Sequence, residues 1–246
     1  MIKQRFLLNQ SDHVSTAPLE EMFEQLSSIN EENGGFYEFS KDILRDKIAD
    51  EEKMEMVINA IACGQAWARK MLTKFELERN VPQKPTNLAR LLGLKINEIS
   101  GKPTQFRMVF AQFVSDQTIE IVKEPIDQYT KLAEISLKLP HPDIVREVLI
   151  AHEIFHFLEM QYPEEMYSHQ KTIRLWKLFN YEHRSTIGAT SEIAAMAFAK
   201  EICSVDFVPQ ILDVLLSYPM EIEFSKNIYQ MMMDSVKNMD RGETDD

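Results

Sequence analysis

The stretch Val148-Leu149-Ile150-Ala151-His152-Glu153-Ile154-Phe155-His156-Phe157-Leu158 decides how the rest of the chain is read. Ile150, Ile154 and Phe157 face one way on a helix, and Val145, Val148 and Leu149 share the face of the histidines, so the helix is apolar nearly all round and belongs in a core. His152 and His156 stand four apart, about 40° from each other on one face, so both imidazoles can reach a single cation. Glu153 lies about 100° round from His152, near enough to handle water beside that cation without being a ligand. This HExxH pattern is a zinc-hydrolase signature, which chance alone would place in roughly one such chain in a hundred. The plainer reading is two core histidines bonded to backbone carbonyls, with Glu153 paired to a Lys or Arg.

A catalytic zinc of this kind needs a third protein ligand. Downstream, Ser191-Glu192-Ile193-Ala194-Ala195-Met196-Ala197-Phe198-Ala199 opens an alanine-rich helix running to Cys203. Glu192, Ala195, Met196, Ala199 and Cys203 fall on one stripe, and its small residues would let this helix approach the metal helix closely with a carboxylate at the near end. Glu192 is therefore the candidate third ligand; its competing role is an acidic group in the first turn that complements the helix dipole.

The elements before the metal helix divide in character. Residues 16–28 have helical spacing of Leu19, Met22, Phe23 and Leu26, and Asn33-Gly34-Gly35 is expected to break the chain before a second helix over 38–48. A long helix follows from about 50 to 77, with Gly64 and Gln65 interrupting its apolar stripe. The Pro-rich loop 80–85 is the natural boundary between an N-terminal helical region, residues 1–80, and the remainder. Thr86 can cap a short helix over 87–92 ended by Gly93. Leu94 to Ile99 alternates like a strand, and 108–114 and 118–122 flank a turn at Ser115-Asp116-Gln117, predicting a small antiparallel sheet of about three strands beside the metal helix. His141 falls in the turn that starts that helix. After Pro163 another helix is expected to about 179, then a polar link to 190 carrying Tyr181 and His183. The last helices, about 206–217 and 220–238, read as packing elements, with a frayed tail over 241–246. The fold class is thus α+β and predominantly helical.

Composition narrows the function. The formal charge of −12, from 39 acidic against 27 basic residues, argues against a nucleic-acid-binding surface. The N-terminal apolar run is too short for a signal peptide and no stretch approaches a membrane span, so a cytoplasmic location is expected. Cys63 and Cys203 sit in helical apolar patterns and read as reduced core thiols.

Four segments in this order carry a resemblance: Asn87-Leu-Ala-Arg-Leu-Leu-Gly-Leu-Lys-Ile96, the hairpin, Ile150-Ala-His-Glu-Ile-Phe-His156 and Glu192-Ile-Ala-Ala-Met-Ala-Phe-Ala199. Together they resemble the ImmA/IrrE family of zinc metallopeptidases over about residues 86–202. The resemblance implies a zincin-like core over residues 81–240, Zn2+ bound by His152, His156 and Glu192, and Glu153 as general base. It further implies intracellular regulatory cleavage of a peptide or protein substrate. Phe155 stands where the family usually has glycine, which either crowds the cleft or fills core on the far side of the helix. Met196 stands where Asn or Asp is usual, and a thioether cannot orient a ligating histidine, so another group supplies that support or metal binding is weakened. Tyr181 and His183 are the nearest candidates in sequence to stabilise an oxyanion. The competing function is a zincin fold kept as a binding or sensor module with hydrolysis lost. In either case residues 1–80 offer a surface for a partner or for self-association.

Overall fold

A computed structural model describes residues 16–77, 84–101, 109–114, 117–178 and 181–242. The expected loop at 80–83, the start of the second strand at Met108, the turn residues Ser115 and Asp116, and the last four residues of the tail lie outside these.

Helices α1 (Ala17–Leu26), α2 (Glu31–Lys41) and α3 (Asp50–Leu77) come first. Contrary to the expectation from sequence, Asn33-Gly34-Gly35 does not break the chain but lies inside α2. Asn30 caps that helix, accepting from Asn33 N–H at 2.8 Å, while the Asn33 side chain accepts from Asn30 N–H at 3.2 Å. The glycines are there for packing: a Cβ on Gly35 would stand 2.5 Å from Val57 Cγ1, and one on Gly34 would stand 2.9 Å from the Gln210 side chain. Helix α3 runs unbroken through Gly64, where a Cβ would lie 2.1 Å from the carbonyl oxygen of Ala194.

Helix α4 (Pro85–Leu91) begins on its proline, so Thr86 is not its cap. Instead Thr86 donates from its N–H and its hydroxyl to Glu147, at 2.8 and 2.7 Å. Gly93, with φ +76°, turns the chain into β1 (Lys95–Ile99). Strands β2 (Ala111–Val114) and β3 (Thr118–Val122) pair antiparallel, as expected. The sheet as a whole is mixed, however, in the order β1-β3-β2, because β1 joins β3 in parallel. Helix α5 (Lys123–Ala133), which the sequence reading left unassigned, follows, and then α6 (Pro142–Gln161), the HExxH helix. His141 sits exposed at the N-cap of α6 and its Nδ1 accepts from Asp143 N–H at 3.2 Å.

Among the described residues the expected helix over 163–179 is absent. A 3-10 turn at Pro163–Glu165 and a short helix, α7 (Tyr167–Gln170), lead into a hairpin of β4 (Thr172–Leu178) and β5 (Tyr181–Thr186). Ile173, Leu175, Trp176 and Leu178 satisfy a helical spacing and a strand spacing about equally, and the β-branched start at Thr172-Ile173 favours the strand. Helices α8 (Gly188–Cys203), α9 (Leu212–Ser217) and α10 (Ile222–Gly242) complete the order. One hydrophobic core runs from Leu19 in α1 to Met232 in α10. Helix α8 lies at its centre, packed against both α3 and α6. Its small residues serve both neighbours, and at Gly64 of α3 the approach leaves no room for a Cβ. Both cysteines are free thiols. Among the described residues, no helix is long and apolar enough to cross a membrane.

Candidate metal centre

Helices α6 and α8 bring His152, His156 and Glu192 together, with one ligand atom from each within 4.8 Å of the others. The two Nε2 atoms are 3.0 Å apart. Glu192 Oε2 lies 3.3 Å from His152 Nε2, and Oε1 lies 3.8 Å from His156 Nε2. Bonds of 2.0–2.1 Å to one tetrahedral cation would set ligand atoms roughly 3.3 Å apart, so the observed triangle fits such an ion with shifts of a few tenths of an ångström. Burial pulls the His152 imidazole down, but the hydrogen bond and charge of Glu192 outweigh it and hold it up at about 9. Withdrawal from water raises the Glu192 carboxyl, but His152 and His156 more than reverse this and hold it at about 2. The plainer role for Glu192, a first-turn acid serving only the dipole, does not account for a carboxylate aimed at two imidazoles.

The sequence reading had no partner for the histidines in place of the usual residue at 196, and one exists that it missed. Glu159 Oε2 lies 3.3 Å from His156 Nδ1. Ser191 donates to the same oxygen at 2.7 Å, and Ser168 donates to Oε1. Burial raises the Glu159 carboxyl, but hydrogen bonds from His156, Ser168 and Ser191 win and hold it below its ordinary value. An ionised Glu159 therefore accepts the Nδ1 proton of His156 and leaves its Nε2 lone pair facing the centre. Its position one turn beyond His156 on the same helix face was a usable signal. His152 is not supported in this way: its Nδ1 is buried and has no hydrogen-bond partner among the described residues.

Glu153 is buried, and its Oε2 accepts the Phe113 N–H at 2.6 Å. Strand β2 is the edge of its sheet. Val122 N–H donates inward to the Phe110 carbonyl, so alternate residues of the strand, Ala111 and Phe113, turn their backbone groups to the open side. Phe155 is fully buried against Phe198, with centroids 5.7 Å apart, and does not line the cleft. It fills core. His183 and Tyr181 lie on β5, paired in register with Trp176 and Leu178, and His183 is not among the described residues lining the cleft.

The cleft over this centre has a volume of about 1100 Å³. One side of it comes from residues the sequence reading did not single out. Lys41 at the end of α2 bonds Glu38 at 2.7 Å and Asp213 of α9 at 3.2 Å, and Tyr37 donates to Asp213 at 2.8 Å. Asp42, next along, accepts the Ala189 N–H at 2.9 Å and the Leu44 N–H at 2.7 Å, tying the end of α2 to the start of the helix that carries Glu192. No local pattern could have joined groups so far apart in the chain. Family models, characterised proteins and solved structures were compared with this chain, and none matches.

Proposed function

We propose that the protein is a zinc metallopeptidase resembling the ImmA/IrrE family, hydrolysing peptide bonds in a partner protein or peptide. The observation that carries this reading is the convergence of His152, His156 and Glu192 beside Glu153. A divalent cation held by His152, His156 and Glu192 would supply Lewis acidity, polarising a carbonyl and acidifying water. The other tasks fall to the chain itself. Glu159 fixes the tautomer of His156. Glu153 takes a proton from the attacking water and passes it to the leaving amine, a role its place beside His152 on the same helix allows. The outward backbone groups of Ala111 and the Phe113 carbonyl are suited to pair with an extended peptide backbone, which would lie close to Glu153 because the Phe113 N–H bonds that carboxylate. His183 is not carried forward as oxyanion donor.

The experiment is zinc stoichiometry on the purified protein, followed by cleavage of a peptide library by the wild type and by Glu153→Gln. One zinc per chain, with cleavage lost in the variant, supports the peptidase. A second reading keeps the metal but not the chemistry: a zincin-like binding module, favoured by the unpartnered Nδ1 of His152. Stoichiometric metal without cleavage that depends on Glu153 would select it, and absence of metal after reconstitution would overturn both.

A further inference from the structure

Five carboxylates line the cleft, those of Glu38, Asp42, Glu153, Glu192 and Asp213, and Lys41 is the one ammonium among the described lining residues. A divalent cation at the histidines would still leave the cleft net negative, whether or not Glu38 carries a proton. Most of these carboxylates are committed: Asp42 to two backbone N–H groups, Glu153 to Phe113, Glu192 to the imidazoles, and Asp213 to Tyr37 and Lys41. Glu38 is different. Its Oε2 is held by Lys41, but its Oε1 has no hydrogen-bond partner among the described residues, although Glu38 is only 2% exposed. A carboxylate oxygen with no donor in a low-dielectric wall is costly unless something supplies a proton to it.

We infer that this corner of the cleft, Glu38 Oε1 beside Asp213, receives an organic cation of the substrate, an ammonium or guanidinium. The proposal rests on the peptidase reading and gives it a substrate class: peptides with a Lys or Arg near the bond to be cut. The setting suits the whole side chain and not its charge alone. Ile43, Phe224, Ile228 and Met231 line the same cleft, so the apolar stem of Lys or Arg has a wall to lie on while its head reaches the carboxylates. Lys41 is held by Coulomb attraction to two acids, with its side chain 38% exposed, and can share them with an incoming cation. The protein's net charge of −12 adds long-range attraction for a basic partner.

The test reads binding and does not need turnover. Zinc-loaded Glu153→Gln protein is immobilised and challenged with a random nonapeptide library, N-acetylated and C-amidated. Retained peptides should be enriched in Lys and Arg about fivefold over input, and acetylating the lysine of a retained peptide should weaken it about tenfold. Adding Glu38→Gln should abolish most of the enrichment while zinc content stays at one per chain. A second library with free N-termini and no Lys or Arg identifies the source of the cation: retention there keeps the site and assigns it to the chain terminus. No charge preference in either library, or enrichment of Asp and Glu, overturns the inference. If basic peptides are retained but the wild type cleaves none of them, the cation site stands and the peptidase reading falls.

Discussion

Glu159 Oε2 sits 3.3 Å from His156 Nδ1 and takes a second hydrogen bond from Ser191, the residue before the candidate ligand Glu192. One carboxylate therefore ties together the two helices that supply the candidate ligands. Glu159→Gln can rotate to offer His156 an amide oxygen but loses the charge that favours its Nδ1–H, so zinc affinity should fall about 10- to 100-fold with the fold intact. Competition with a fluorescent chelator measures it. Unchanged affinity would mean that Glu159 is a packing residue.

Gly64 lies where α3 meets α8, and its missing Cβ leaves room for the carbonyl of Ala194. The neighbour at 2.1 Å is backbone, so nothing flexible can give way. Gly64→Ala should therefore destabilise the protein by about 1–3 kcal/mol despite the better helix propensity of alanine. Because α8 carries Glu192, zinc affinity should drop as well. Urea unfolding with and without zinc tests both, and a variant as stable as the wild type would mean that the helices pack further apart.

The glycines also mark what the sequence could and could not reveal. Helices α6 and α8 were legible because their apolar periodicity and the His-x-x-x-His spacing are local, and Glu192 followed from what a zinc centre still lacked. Gly34 and Gly35 were read as a chain break because glycine most often signals a turn. Their actual reason is Val57 and Gln210, which no local window contains. The 172–178 stretch fits a period of two and of 3.6 alike, so only its partner strand decides. The parallel match of Lys95 with Thr118 is likewise non-local. The cluster joins Glu38 and Lys41, neighbours on α2, to Asp213, 172 positions beyond Lys41, and it is evident only once α2 and α9 are in place.

Removing the metal should loosen the centre, since two imidazole nitrogens 3.0 Å apart then face each other with nothing between them. Zinc at about 100 times its dissociation constant should add about 2.7 kcal/mol of stability, provided the unfolded chain does not bind it. Differential scanning calorimetry should record a rise in Tm with zinc that disappears in His156→Ala. An equal rise in that variant would place the metal elsewhere.

The Glu38 carboxyl gives a pH dependence of definite sign. Burial is the largest influence and raises it; Lys41 opposes, Asp213 and Glu192 reinforce, and the balance pushes it from the ordinary 4.5 up to about 7. Across that window the folded protein holds a proton that the unfolded chain has released. Stability from this group is therefore full below about pH 4.5 and is lost as pH rises towards 7 and just beyond. Glu38→Gln has no proton to lose and keeps the shape of the side chain, so it should be the more stable protein at pH 8, by on the order of 2 kcal/mol, and equal to the wild type near pH 4.5. The charged groups in electrostatic contact with it, Lys41 on its own helix, Asp213 on α9, Glu192 on α8 and His152 on α6, are present in both proteins, so the difference between the two curves isolates Glu38. Urea midpoints of the two metal-free proteins from pH 4.5 to 8 provide the test. Parallel curves would mean that Glu38 stays ionised throughout, with Lys41 alone meeting the cost of burying it.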